Sequence, residues 1–566
     1  MNHRLSEGDA LRIGTVCASL CALSAFSCTA LAQVPPDAGR TLEQLRVPLP
    51  PPVSTPSEIR IEPPGADKKA DSPPFHVAGF RVSGATVFVE QQLLEVLGPA
   101  GRELTLAQIQ ERADRLTKLY KDGGYPVARA LVPAQDVRDG IVEIRVLEGR
   151  YGAIDIRNAT NVSEQRIRDL LGEIREGELI YAPTLEKRIL LISDLAGIQP
   201  LATLEPGQAT GLSDLVLEIG AGKIKEYSLA VDNAGNRFTG SNRLSIGFVW
   251  NSPADIGDRL AASAVTSGKE LLSMRFAYDL PVGSSGLRAG SYISRTTYRL
   301  GEDFSSLDAH GTADTLGASL VFPLIRSTAL NVRAIAAGEV RRLEDIVGVT
   351  GSDIRKRDHL LQFGIGGDTR DSFLAGALTA FQGMLTSGKL MLDSPAFATV
   401  DAATARTQGN YAKFVASVYR LQGLSENWRL GANYTGQWAS KNLDSSEKFS
   451  VGGLPGVRAY PLGEAPGDDV QLLQLELRHQ GGQLGPGQLS PFGFFDAARL
   501  RIFHNNFSSS GAKNVRDLSG YGLGAEWSAA GIGFVRCWFA FRGNSEPATS
   551  DTDRSSRLWL QAGIAL

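Results

Sequence analysis

VGGLPGVRAYPLGEAPGD, residues 451–468, reads as neither helix nor strand. Pro455, Pro461 and Pro466 have no N–H to give a ladder, and the Gly and Pro content is too high for a helix. The stretch carries one cation, Arg458, and is flanked on both sides by alternating polar and apolar residues. An ordered loop of this length with a single charged tip reads as a functional loop held against a barrel wall.

The flanks support a wall of that kind. In 428–438 the residues Arg429, Gly431, Asn433, Thr435 and Gln437 share one face, and Trp428, Leu430, Ala432, Tyr434 and Trp438 the other. One face is polar and the other apolar with aromatic ends, the pattern of a lipid-facing strand. Ten steps of ~3.3 Å, tilted about 40°, rise roughly 25 Å, the height of an outer-membrane apolar band. Leu272, Met274, Phe276 and Tyr278 alternate with Ser273, Arg275, Ala277 and Asp279 in the same way. Sixteen such strands are expected, starting near residues 225, 242, 258, 270, 286, 312, 328, 358, 376, 410, 427, 470, 491, 519, 533 and 555. The glycine-rich loop, taken as 442–469, then separates the eleventh strand from the twelfth.

Upstream, a different period takes over. Residues 75–83 read as a strand kinked at Gly79, followed by a helix over 89–97. Thr105 and Gln108 form a capping box for a second helix, ended by Gly123-Gly124, and strands follow at 127–132 and 142–146. The same order repeats: a strand at 153–157, a helix capped by Ser163, a helix opened by Thr184, and strands at 198–204 and 215–219. This internal repeat defines two α+β units, 75–150 and 151–222. Gly220-Ala221-Gly222-Lys223 lacks the spacing and hydroxyl of a phosphate loop and reads as the hinge into a barrel domain, 223–566.

The first 32 residues form an export signal: Arg4 and Arg12, an uncharged run over 13–31, and an Ala30-Leu31-Ala32 cleavage site. Residues 33–74 are a proline-rich linker, expected to be extended, with one short helix at 37–46 that is marginal alone and too brief to plug a pore. Cleavage leaves Cys537 as the one cysteine, so no internal disulfide forms in an oxidising compartment. A net charge of −3 over 566 residues argues against nucleic-acid binding. The six histidines are scattered, and no catalytic or metal-ligand spacing is present, so neither an enzyme nor a cofactor is expected.

Two motifs carry a resemblance. Val457-Arg458-Ala459-Tyr460 resembles the lumen-loop motif of polypeptide-transporting outer-membrane barrels, with Ala459 in place of a glycine. Phe494 and Asp496, in FFDAA, resemble that family's barrel-wall motif, with Ala498 replacing a glycine. The stretch GYPVARALVPAQDVRDGIVEIRVLEGR, residues 124–150, is similar to POTRA (polypeptide-transport-associated) domains. Together these identify a two-partner secretion transporter of the ShlB/FhaC/HecB haemolysin secretion and activation family. The resemblance implies a mainly β chain: a 16-stranded transmembrane antiparallel β-barrel preceded by two α+β POTRA domains. It implies an outer-membrane location with the POTRA domains in the periplasm, and capture of an unfolded exoprotein bearing an N-terminal secretion domain. It also implies contact with outer-membrane lipid and a monomeric state. Alternatives are an insertase of the same superfamily, which usually carries three to five POTRA units, or a passive porin. Alternation places Phe494 and Asp496 on the lumen face, where Arg458 is expected to pair with Asp496 bidentately. In a wet lumen such a pair contributes little energy and chiefly fixes the loop. Asp232, Asn233, Gly235, Gly463, Glu464, Gly467 and Asp468 are expected as turn residues.

Overall fold

The computed structural model describes residues 35–45, 58–61, 72–137, 139–507 and 513–566; the export signal lies outside them. From Lys225 onward the chain builds a closed barrel of sixteen long antiparallel strands. The first, Lys225–Asp232, pairs with the second, Arg243–Asn251, and with the last, Ser556–Ala565. Observed strand starts lie close to the expected ones; the largest gap is at the eighth strand, which begins at Ser352 rather than near 358. That strand runs beyond the lipid-facing band, where Arg355 and Arg357 point outward, so apolar alternation does not mark its upper end. The alternation holds where it was read: Phe276 is 52% exposed on the outer face and Asp496 fully buried on the inner one. Closure pairs every wall strand on both sides, which a membrane-spanning sheet requires. No helix among the described residues is long and apolar enough to cross a membrane.

The leader departs from expectation. Helix α1, Ala38–Gln44, is present, but it lies inside the barrel rather than in an extended linker. Asp37 caps it by accepting from the Arg40 N–H at 2.7 Å. The Ala38 N–H donates to Asp345 on the seventh strand at 2.7 Å, and the Tyr298 hydroxyl donates to the same carboxylate. Ser445 and Lys356 also reach Asp37, while Glu43 accepts from the Ser450 N–H at the base of the lumen loop. Ala38, Leu42 and Leu45 pack against Phe238, Leu271 and Leu343. Seven residues are too few to be helical in isolation. Tertiary contact decides here, and a short helix with a polar cap suffices to occupy the lumen. Strand β1, Glu58–Ile61, is likewise packed: it pairs parallel with residues 201–204 of the second α+β unit, and Ile59 lies on that unit's core.

The first unit contains β2, Phe75–Val77; β3, Gly79–Ser83; α2, Glu90–Leu97; β4, Arg102–Leu104; α3, Leu106–Asp122; β5, Arg129–Leu131; and β6, Ile141–Leu147. The Thr105–Gln108 capping box forms as expected. The predicted first strand breaks into two, because β2 pairs with the unforeseen β4 while β3 pairs with β6. In the second unit, β7 is Arg150–Asn158, α4 Glu164–Leu171, α5 Ala182–Ser193, β8 Ile198–Pro206 and β9 Leu212–Ala221. Helix α5 starts before Thr184 because Pro183 suits its first turn. Ser163 precedes α4, but its hydroxyl accepts no capping hydrogen bond. The second unit seats on the periplasmic turns: Asp194 binds Arg326 through both guanidinium nitrogens at 2.7 and 3.0 Å, and Glu186 accepts from Thr328.

Glu148 holds the first unit together. Its buried carboxylate accepts from the Thr86 and Val87 N–H groups, the Thr86 hydroxyl and the Tyr120 hydroxyl. Burial opposes its ionisation, but these donors prevail and hold it below the ordinary carboxylate value. Glu148→Ala should destabilise the unit by roughly 2–4 kcal/mol. Because the folded value is lowered, this contribution is complete above about pH 4.3 and is lost as pH falls through the lowered value; calorimetry of the mutant and wild type between pH 7 and pH 3 checks both statements. A second outcome follows from α1: deleting residues 35–45 should raise ion conductance of the reconstituted barrel while leaving the barrel folded. Equal conductance with and without α1 would show that it does not occlude the lumen.

Candidate functional site

The lumen loop leaves the eleventh strand, Trp428–Ala439, and returns into the twelfth, Asp469–His479. Its base is closed by a two-residue pairing of Phe449–Ser450 with Pro466–Gly467, so Pro466 does sit in a minimal strand. Beyond that the loop has little ladder and is held by side chains.

Arg458 makes the expected pair and more. Its Nε and Nη2 donate to the two Asp496 oxygens at 2.9 and 2.7 Å, and its own backbone N–H donates to Oδ2 at 3.0 Å. Nη1 donates to Glu476 at 2.8 Å. The guanidinium stacks over Phe494, 3.8 Å from the ring centre. The Arg458 carbonyl accepts from the Trp559 indole on the last strand at 2.7 Å. Arg458 is 5% exposed and Asp496 fully buried. That overturns the expectation of a weak, solvated pair: water has been excluded by Phe494, Tyr460 and Ala459. Breaking a buried pair by removing one partner costs on the order of 3–5 kcal/mol, several times the value of an exposed pair.

Glu476 was not anticipated. It joins Arg458 to Arg478, which reaches Glu526 on the fourteenth strand, so the loop tip ends a chain of charges along the wall. The signal was available, since Gln474, Glu476 and Arg478 share the inward face of the twelfth strand. Two residues expected as turn formers are also anchors. The buried Glu464 carboxylate accepts from Arg516 and from the N–H and hydroxyl groups of Thr549 and Ser550, at 2.6–2.8 Å. Asp468 accepts from Lys448 and from the Leu443 and His504 N–H groups. Asn233, another expected turn residue, bonds the backbone of Leu558 and Leu560 and lengthens the seam between first and last strands.

Close approaches explain two small residues. An added Cβ on Gly463, which has φ +79°, would lie 2.1 Å from the Gln44 amide of α1, so loop and lumen helix touch there. A Cβ on Gly520 would lie 2.6 Å from that of Ala459. The alanine at 459 therefore fits because the facing wall residue is glycine.

With this geometry in place, the chain can be set beside known proteins. The family model described as "Haemolysin secretion/activation protein ShlB/FhaC/HecB" matches residues 211–527, and that of the "POTRA domain, ShlB-type" matches residues 75–149. The chain is 27% identical over 434 residues to the heme/hemopexin transporter protein HuxB of Haemophilus influenzae, covering 76% of each. It is 24% identical over 431 residues to the outer membrane transporter CdiB of Dickeya dadantii, covering 74% of this chain and 75% of that one. The solved CdiB from Escherichia coli has the same fold, with a TM-score of 0.70, 18% identity and full coverage of both chains.

Glu464→Ala should loosen the contact between the lumen loop and the 543–555 loop without unfolding the barrel. Proteolysis of outer membranes is expected to cut within 451–468 or 543–555 in the mutant and not in the wild type, with heat-modifiable migration unchanged.

Proposed function

The chain belongs to the haemolysin secretion/activation family ShlB/FhaC/HecB, outer-membrane transporters of two-partner secretion, and we propose that its export step turns on the lumen loop held at Arg458. It captures an unfolded exoprotein in the periplasm through its POTRA domains and passes it through the barrel to the cell surface. Our division of labour assigns capture to 75–150 and 151–222 and passage to 223–566. The cargo carries an N-terminal secretion domain, and extended cargo adds to a strand edge of the periplasmic units through backbone hydrogen bonds. No nucleotide enters this scheme; folding of the cargo outside supplies the drive. The transporter acts as a monomer in contact with outer-membrane lipid.

One observation supports the role of the loop: the Arg458 guanidinium is bound by Asp496, Glu476 and the Phe494 ring together. Such a site fixes where the loop tip lies in the lumen, and so what width of chain passes beside it. The wall itself does not depend on it, because barrel stability rests on the closed ladder.

Secretion measured across a mutant cycle, at equal surface levels of transporter, tests the reading. Arg458→Ala and Asp496→Ala should each reduce export strongly, and the double mutant should be little worse than the worse single one, since both remove one shared interaction. Arg458→Lys should also impair export, because an ammonium cannot bridge two oxygens in one plane. Additive losses would mean the residues work separately, and normal export in Arg458→Ala would remove the loop from the mechanism.

A further inference from the structure

The periplasmic units enter the barrel at Lys225, so odd-numbered strands rise toward the cell surface. The upper ends of the seventh strand, Leu330–Val347, the eighth, Ser352–Asp371, and the ninth, Ala377–Leu392, therefore stand on the extracellular side. Their outward faces carry the exposed apolar residues Val340, Leu361 and Leu385. Above these the outward positions include Arg342 on the seventh strand, His359 and Arg357 on the eighth, and Ser387 followed by Lys389 on the ninth.

Strand register brings the four basic residues together. Arg342 stands opposite Arg357, and His359 stands opposite Lys389. Direct cross-strand partners are about 4.5–5.5 Å apart, and like charges in that relation repel. Arg357 is neutralised by a bidentate bond to Asp393. Arg342 has Asp314 opposite it on its other side, but that carboxylate is paired with Arg295, and among the described residues neither Arg342 nor Lys389 forms an ion pair of its own. Other outward arginines of the upper rim do: Arg295 pairs with Asp314, Arg299 with Asp308, Arg355 with Glu344 and Asp353, Arg499 with Asp517, and Arg501 with Asp469. A sheet face with two cations outside any ion pair at headgroup height, and an apolar wall below them, is complementary to an acylated anion.

We propose that this face binds the phosphate-bearing headgroup of an outer-leaflet glycolipid, with Arg342 and Lys389 contacting phosphate and Val340, Leu361 and Leu385 lining its acyl chains. The inference rests on the outer-membrane placement and is independent of which cargo is exported or how the lumen loop works.

The full-length protein in detergent, titrated with diphosphorylated lipid A and observed by native mass spectrometry, provides the test. The wild type should retain lipid A and should not retain its fully dephosphorylated form. The double variant R342A/K389A should bind about thirtyfold more weakly, from roughly 1 kcal/mol per cation. The variant R499A/R501A, altered where cations are already paired, should bind as the wild type does. Heat-modifiable migration establishes that each variant is folded. Equal retention by R342A/K389A, or retention independent of the phosphates, would overturn the proposal. Competition by inorganic phosphate at comparable concentration would do so too, since the site would then hold a free anion rather than a headgroup.

Discussion

A long loop crossing a barrel lumen has almost no backbone ladder, so its position must come from side chains, and here it comes chiefly from the buried bond between Arg458 and Asp496. Arg458 gives four hydrogen bonds to carboxylates: two from the guanidinium to Asp496, one from it to Glu476, and one from the loop backbone to Asp496. Burial makes the arrangement all or nothing. With both partners present the charges are satisfied; with Arg458 removed, Asp496 is left buried without its cation, and with Asp496 removed, Arg458 keeps only Glu476.

The remaining elements converge on that loop. Glu464 ties it to the 543–555 loop, Trp559 to the last strand, and Gly463 lets α1 approach its far side. The last strand also forms the seam with the first, where only five residue pairs are in register and Asn233 adds two further bonds. Loop, lumen helix and seam are thus adjacent through named contacts.

Much of this was legible in the chain because lipid imposes a strict code. Alternation with a period of two marks strands wherever one face meets lipid, and it located all sixteen; it weakened at Ser352, where the eighth strand leaves the apolar band. The Arg458–Asp496 pair was readable from motif and register together. Its burial was not, because it depends on contacts between distant segments, such as Ala459 against Gly520 and the Tyr460 hydroxyl on Asn544 and Glu546. Glu464 and Asp468 looked like turn residues because Gly and Pro surround them, and their partners lie 52 and 36 residues away in Arg516 and His504. The leader departs from its sequence pattern for a related reason. Propensity says that a short helix does not stand alone, and α1 does not: Asp345, Tyr298 and Ser450 hold it.

Hydrogen–deuterium exchange of the full chain in lipid bilayers tests most directly whether the buried pair holds the loop. In the wild type, amides of 451–468 should exchange slowly for a loop, approaching the strands beside them. In Asp496→Ala the same amides should exchange much faster, while the strand amides of the barrel keep their protection. Unchanged protection of 451–468 in Asp496→Ala would contradict the account, because the loop would then be held by something other than the bond on which its position is argued to depend.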